Sequence, residues 1–282
     1  SYIQDVTQKA ADADAEVTRE LRRAGINENI GNINAVNELL ATGELMAYTR
    51  ALKGKGIGNA DKSGHNHADK NNSSKAAYID SSEKLSDVLS GREKLEALYT
   101  NLEEAAGDEL EEAIESSLTD TDETPVDYDT FEELRISNRQ IRYISNLARK
   151  NDYRIPYVKN GKAGLINLTF LSDSSDKGKI SIKMDTEAYG ELSMEAKITG
   201  KDISLFVKQN SNTVHPDDRS IYKSFEELEN VLKLQHGMNS VRINTVRVPD
   251  VNYVTYENSG ASVPADELYR IAQSVTGVFF GK

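Results

Sequence analysis

The chain has 282 residues, a formal net charge of −12 and no cysteine. The excess of acidic residues argues against DNA, RNA or an anionic membrane surface as a partner, because polyanions are bound through clustered cations. The absence of cysteine excludes disulfides, cysteine-ligated zinc, iron–sulfur clusters and thiol catalysis. Apolar residues make up 38% of the chain and charged residues 28%, which is enough for a core of modest size.

Neither a membrane span nor a secretory signal is visible in the sequence. No apolar run approaches the ~18 residues that a membrane helix needs, so we expect no membrane insertion. The first residues, Ser1-Tyr-Ile-Gln-Asp5, lack the basic and apolar parts of a secretory signal. The chain begins at Ser1 rather than at Met, so the sequence leaves open that it is a fragment and that a leader precedes it.

Residues 1–52 repeat apolar side chains with the period of a helix. Val17, Leu21 and Ala24 share one face of the first predicted helix, and Gly25 suits its end because glycine readily adopts the left-handed conformation. Two further short helices are predicted before residue 53. We therefore expect a helical N-terminal region.

Residues 53–80 lose this period and are rich in Gly, Asn, Ser and Lys, a composition typical of a flexible linker or loop. The stretch contains four potential metal ligands, which are His65, His67, Asp61 and Asp69. Metal-binding histidines need neighbouring groups that orient their rings, and a flexible loop supplies none. We expect no metal site here.

Residues 81–150 return to the helical period, with an acidic linker at 119–129. Three apolar stripes precede the linker and predict three helices, centred on Leu85, Leu98 and Ala113. A fourth helix follows the linker. The linker contains Asp120, Asp122, Asp127 and Asp129. The glycine and the bidentate glutamate of a calcium-binding loop are missing from their positions, so we interpret these residues as a linker.

Residues 151–250 contain several segments with an apolar side chain at every second position. A sheet with one buried and one solvated face requires this alternation. The predicted strands are Tyr153–Val158, Leu165–Leu171, Lys179–Asp185, Glu191–Ile198, Asp202–Lys208 and Val241–Val248. Short turns such as Asn160-Gly161 join the first strands, so we expect a single antiparallel layer, with a meander of four or five strands.

An amphipathic helix from about Pro216 to His236 precedes the last strand and stops at Gly237. We expect it to cover the apolar face of the meander. The predicted class is therefore α+β, with a helical N-terminal region followed by an antiparallel β-meander packed against one helix. Residues 251–282 form a polar tail and a last amphipathic helix, which either packs back on the sheet or presents itself to a partner.

No catalytic or cofactor pattern is visible in the sequence. His215 and His236 stand near no serine or carboxylate pattern typical of a nucleophile–base pair. Gly54, Gly56 and Gly58 are followed by neither a Gly-Lys-Ser/Thr signature nor a helix. We expect a protein that is not an enzyme and needs no cofactor. Binding is favoured instead, because the edge of an open sheet can accept an incoming strand by backbone pairing.

The order of elements from the third strand onward resembles the C-terminal domain of flagellar hook-length control proteins. In that domain a Leu-Gly dipeptide precedes a strand of alternating valines, followed by a second strand, a leucine-rich helix ending in Gly, and a last strand. Here Tyr189-Gly190 takes the place of the dipeptide, and the helix carries Phe225, Leu228 and Leu232. The resemblance covers roughly 100 residues.

The segment from Leu21 to Gly43 is similar to helical units of an uncharacterised bacterial family. These units carry Gly-Ile, Glu-Asn-Ile, Leu-Leu and Gly in this order, and the family joins them to a hook-length-control-like C-terminus. Hook-length control proteins usually carry a long ruler rich in Pro, Gln and Ser before this domain, whereas helices occupy that place here. This departure puts the measuring role in doubt and leaves the switching role open.

The resemblance implies a protein without enzymatic activity that is made in the cytoplasm and exported through the flagellar type III apparatus. Its C-terminal domain would contact the switch protein of the export gate and change substrate specificity. The predicted contact surface is an edge strand with its loop and one face of the helix, comprising Tyr189, Gly190, Glu191, Glu195, Lys197, Phe225, Leu228 and Leu232. The alternative is a secreted or surface-associated protein whose helices mediate assembly. The sequence leaves the oligomeric state open.

Overall fold

A computed structural model describes residues 15–54, 79–118, 128–174, 177–212, 218–253 and 265–280. Several predicted features lie outside these residues. They are His65, His67, Asp61 and Asp69, most of the linkers at 53–80 and 119–129, His215 and the predicted helix start at Pro216, and residues 254–264 of the polar tail.

The described residues form eight helices and six strands. The helices are α1 (Ala15–Ala24), α2 (Ile30–Thr42), α3 (Met46–Gly54), α4 (Ser82–Val88), α5 (Arg92–Leu118), α6 (Tyr128–Ala148), α7 (Asp218–His236) and α8 (Asp266–Phe280). The strands are β1 (Asp152–Lys159), β2 (Lys162–Ser174), β3 (Lys177–Thr186), β4 (Gly190–Thr199), β5 (Asp202–Asn210) and β6 (Ser240–Val248). This order confirms the predicted α+β class.

The strands form one sheet in the order β1-β2-β3-β4-β5-β6. Adjacent strands from β2 to β5 pair antiparallel, as the short turns between them predict. The prediction of a wholly antiparallel layer is wrong for β6, which pairs parallel to β5. The reason is that α7 carries the chain back to the end of the sheet where β5 begins, and a crossover of this kind joins parallel strands.

The chain divides into two compact units. We call residues 1–78, 98–146 and 156–164 the helical unit, and residues 79–97, 147–155 and 165–282 the sheet unit. The division therefore passes through α5, α6, β1 and β2.

In the helical unit, side chains from distant segments join the helices. Gln140 of α6 is fully buried. Its Oε1 accepts a hydrogen bond from the N–H of Met46 at 2.9 Å, and its Nε2 donates to the carbonyl oxygen of Ala35 at 3.1 Å. One amide thus ties α6 to both α2 and the start of α3. Buried polar groups of this kind are costly unless they are satisfied.

Helix α5 differs from the prediction of two separate helices in this region. It runs without a break for 27 residues, although Gly107 lies in its middle. A single glycine costs a helix about 1 kcal/mol relative to alanine. The flanking Glu and Ala residues are good helix formers, so this cost does not end the helix.

In the sheet unit, one face of the sheet is apolar and buried. It carries Leu168, Phe170, Ile180, Ile182, Met184, Leu192, Met194, Ala196, Ile198, Ile203, Leu205 and Val207. The predicted covering helix α7 buries Leu228 and Leu232 completely.

The last helix, α8, packs back on the sheet unit, which decides between the two alternatives left open by the sequence. It contacts α7, α4 and β3, and it buries Leu268, Tyr269, Ile271, Ala272, Val275, Thr276, Val278, Phe279 and Phe280. The ring of Phe279 lies 6.0 Å from those of Tyr189 and Phe225. Helices α4 and α8, and not α7 alone, therefore pack in the sheet unit.

Candidate functional site

The face of the sheet opposite the apolar one, which we call the outer face, is polar. Because side chains alternate along a strand, the pairing register identifies its members. From β3 to β6 they include Lys179, Ser181, Lys183, Glu191, Ser193, Glu195, Lys197, Ser204, Phe206, Lys208, Arg242, Asn244 and Val246. Three of the predicted contact residues, Glu191, Glu195 and Lys197, thus share one face of β4.

Two ion pairs cross the outer face. Lys183 Nζ lies 2.6 Å from Glu191 Oε1, and Lys208 Nζ lies 2.8 Å from Glu195 Oε1. All four side chains are partly exposed, between 23% and 31%. Pairs of this exposure contribute at most about 1 kcal/mol, so they position charges on the surface more than they stabilise the fold.

A row of cations lies beside these pairs. Lys179 and Lys197 stand directly opposite each other on β3 and β4. The row continues through Ser204 on β5 to Arg242 on β6. Like charges directly opposite on neighbouring strands are destabilising. The row therefore concentrates positive charge on a chain whose net charge is −12.

The side of the outer face above β1 and β2 is covered by the chain that follows β6. Val251 is fully buried, and the Tyr253 hydroxyl is hydrogen-bonded to Thr169 and lies 3.4 Å from Asp152 Oδ1. The guanidinium of Arg154 lies 4.8 Å from the centre of the Tyr253 ring. The predicted polar tail thus begins as a packed segment, and the more exposed part of the outer face lies toward β5 and β6.

An apolar patch marks that exposed part. Phe206 is 40% exposed and Val246 is 38% exposed. They are diagonal neighbours, because Phe206 is opposite Asn244 and Val246 is two residues further along β6. The ammonium group of Lys208 lies 5.9 Å from the centre of the Phe206 ring. Aromatic side chains such as Phe206 and arginines such as Arg242 are enriched at protein-binding surfaces.

Strand β6 forms one edge of the sheet. Two backbone hydrogen bonds, one at each end of its pairing with β5, give the orientation of its backbone groups. The N–H of Ser240 donates to Lys201 O at 3.4 Å, and Val248 O accepts from the N–H of Ser211 at 2.8 Å. The even-numbered residues therefore direct their backbone groups toward β5, and alternation along the strand directs those of Val241, Ile243, Thr245 and Arg247 toward the edge. No described strand pairs with that edge.

Four of the predicted contact residues are buried, which corrects the predicted surface. Tyr189 is 4% exposed and Phe225 is 7% exposed, and Leu228 and Leu232 are fully buried. The Tyr189 hydroxyl lies 2.9 Å from Ser224 Oγ, so even its polar atom is satisfied internally. These side chains belong to the core, because the apolar stripe of α7 faces inward.

The position of β4 requires a second correction. It lies between β3 and β5 and is not an edge strand, so its backbone groups are already paired. Gly190 has a φ of 65° and is partly exposed at the turn into β4. Of the predicted surface, Gly190, Glu191, Glu195 and Lys197 remain accessible to a partner.

The structure also forms a cluster that sequence reasoning missed. His236 Nδ1 lies 2.8 Å from Glu267 Oε1, and His236 Nε2 lies 2.9 Å from Ser274 Oγ. The partners are 31 and 38 residues away in the chain, so no local pattern indicates them. A cavity of about 320 Å³ adjoins the cluster and is lined by Ser86, Glu227, Val231, Gln235, Gln273, Ser274, Gly277 and Val278.

The order Ser–His–Glu matches the hydrogen bonds of a nucleophile, base and orienting acid, but the surrounding backbone does not suit acyl transfer. Ser274 lies in the interior of α8, where a backbone N–H bonds to the carbonyl one turn earlier. A serine at a strand-to-helix turn has free N–H groups beside it that stabilise an oxyanion. We therefore interpret the cluster as a contact that joins the last turn of α7 to α8.

Two surveys of the described residues bear on other classes of site. No group of three or more His, Asp or Glu residues in this part of the chain is placed to hold a metal ion. No helix in the same ranges has both the length and the apolar composition that a membrane crossing requires.

Comparison of the chain with protein-family models, curated proteins and solved structures gave no match. The resemblance to flagellar hook-length control proteins therefore stays a prediction.

Proposed function

We propose that this chain is a non-enzymatic protein-binding component of flagellar export. In this proposal it is made in the cytoplasm and exported through the flagellar type III apparatus, and its sheet unit contacts the switch protein of the export gate. The order of strands and helices in the sheet unit supports the proposal. The observation that carries the binding role is the exposed region of the outer face next to β6.

The composition of this region suits a protein partner. Phe206 and Val246 supply exposed apolar area, while Lys197 and Arg242 supply charge on the same face. Apolar contacts provide most of the affinity at such surfaces, and charges select the partner and speed the encounter.

A binding assay with matched variants tests this role. The double variant Lys197→Glu with Phe206→Ser changes two exposed side chains of the outer face, and Lys223→Glu makes the same charge change on the exposed side of α7. We expect the double variant to lose capture of the export-gate cytoplasmic domain, whereas Lys223→Glu retains it. Equal capture by both variants would remove the outer face as the contact surface.

The flagellar role has its own test in a motile host. Deletion of the gene, followed by measurement of hook length and filament secretion, should give hooks of altered length or a defect in filament export. Normal hooks together with normal filaments would contradict the flagellar role and favour the alternative of a surface-associated assembly protein.

A further inference from the structure

We infer that β6 is a docking edge for an extended, acidic segment of a partner protein, which adds to the sheet as a seventh strand. The inference rests on the proposed binding function and names the kind of segment that the sheet unit recognises.

The backbone of β6 is suited to strand addition. Its nine residues pair with β5 without a bulge or a shift of register, so the edge is regular. Val241, Ile243, Thr245 and Arg247 direct their N–H and C=O groups toward the edge. An incoming strand gains affinity from hydrogen bonds to these groups and specificity from the side chains that it places on either face.

The charges on β6 favour an acidic segment. The strand carries Arg242 and Arg247 and contains no acidic residue, and both arginines are exposed. Arg242 lies two strands from Lys197 in the same row, which corresponds to roughly 10 Å. A carboxylate opposite Arg242 on the added strand would lie next to Arg242 but three strands, or roughly 14 Å, from Lys197, so Arg242 is the cation that would select it.

The apolar patch adds a second requirement. Val246 lies four residues after Arg242 and therefore on the same face, and it adjoins the exposed Phe206. A residue opposite Val246 would cover this patch. The preferred segment thus carries an acidic and an apolar side chain four positions apart, both on the outer face.

Charged residues on an edge strand have another common role, which is to prevent aggregation. That role makes a different prediction, because it requires only that the edge repel further strands. The arrangement here leaves Ile243 to Val246 uncharged, with no proline within the strand. Arg242 and Arg247 would repel a second copy of β6, whereas they attract a strand that carries carboxylates.

The experiment is selection from a displayed library of nine-residue peptides against the full chain, compared with the variant Thr245→Pro. Thr245 directs its N–H to the edge, so proline removes a donor for the partner without breaking a bond to β5. Thr245→Val keeps the N–H and is the matched control. We expect the wild type and Thr245→Val to enrich acidic, β-branched peptides, and Thr245→Pro to bind them at least tenfold more weakly.

Side-chain recognition is tested separately with the variant Arg242→Glu, which leaves the backbone intact. We expect it to weaken the selected peptides about threefold to tenfold and to strengthen peptides whose acidic residue is replaced by lysine. This second variant keeps the inference testable if Thr245→Pro does not fold. N-methylation of every second peptide residue should abolish binding when the methylated N–H groups are those that face β6. Methylation of the other alternate set should leave binding unchanged.

The outcomes separate this inference from the proposed function. Export-gate capture that is equal for wild type and Thr245→Pro would overturn the docking edge and leave the protein-binding role intact. Enrichment of acidic strand peptides without export-gate capture would support the docking edge and contradict binding to the export gate. No enrichment, or self-association of the chain that Thr245→Pro abolishes, would also overturn the inference, in the second case in favour of a second copy as the occupant.

Discussion

Truncation of Leu228 separates residues that build the fold from residues that bind a partner. The side chain is fully buried on α7, although sequence reasoning placed it in the contact surface. Leu228→Ala removes buried carbon atoms and leaves a cavity, which costs about 2–5 kcal/mol of unfolding free energy. Leu234→Ala is the same substitution on the same helix at a side chain that is 85% exposed, and we expect its effect to stay within about 0.5 kcal/mol.

The expected loss of unfolding free energy is large enough to measure and small enough to leave the protein folded. Domains typically have unfolding free energies of about 5–15 kcal/mol, so the Leu228→Ala protein should stay folded at 25 °C. In urea, a loss of about 3 kcal/mol lowers the unfolding midpoint by roughly 1–3 M. The affinity of the folded protein for its partner should not change, because Leu228 does not reach the surface.

The assay combines urea unfolding, followed by circular dichroism, with measurement of the dissociation constant for the export-gate domain. Lys197→Glu should show a different pattern, with weaker binding and a midpoint that is equal or slightly higher, since Lys197 is exposed on the outer face and the substitution removes its repulsion with Lys179. The reasoning is refuted if Leu228→Ala weakens binding without shifting the midpoint. It is also refuted if Leu228→Ala and Leu234→Ala shift the midpoint equally.

Three further predictions concern stability and chemistry. Burial raises the pKa of Tyr269, whose hydroxyl lies 3.1 Å from that of Tyr153. The resulting stabilisation is complete below about pH 10 and is lost as the pH rises through the raised pKa of the folded state. The unfolding free energy in urea should therefore depend less on pH between about pH 8 and 11 for Tyr269→Phe than for the wild type, and an equal dependence would refute this. Gln140→Met removes two buried hydrogen bonds and should lower the unfolding free energy by about 2–4 kcal/mol. The exposed control Arg142→Met should lower it by less than about 0.5 kcal/mol. Equal urea midpoints for the two variants would contradict the role of Gln140 as a bridge between helices. Ser274→Ala should lower the unfolding free energy by about 1 kcal/mol. A fluorophosphonate probe, which labels activated serines, should not label Ser274 in the wild-type protein. Labelling at that residue would restore the catalytic interpretation.

Local patterns in the sequence predicted the secondary structure well because they act over a few residues. Alternating apolar side chains gave the strands, since the direction of a side chain in a strand depends only on its neighbours. Turn and cap positions are equally local. Asn160 and Gly161 have positive φ values of 50° and 74°, and Gly43 ends α2 with a φ of 67°.

The candidate site was only partly predictable from the same patterns. The period of β4 placed Glu191, Glu195 and Lys197 on the polar face, and the structure agrees. The same period cannot tell whether β4 is central or at an edge, because strand order depends on contacts between segments far apart in the chain. The error for Leu228 has a similar origin, since an apolar stripe is needed equally for a core and for a docking face.

The sequence by itself determined the α+β class, the strands with their two faces, and the ends of several helices, because each follows from side chains within one or two turns of each other. Only the tertiary structure decided that β6 is a parallel edge strand, that α8 packs in the sheet unit, and that His236 meets Glu267 and Ser274. These outcomes depend on which distant surfaces bury each other. That choice is made by the packing of the whole unit and leaves no local signal in the chain.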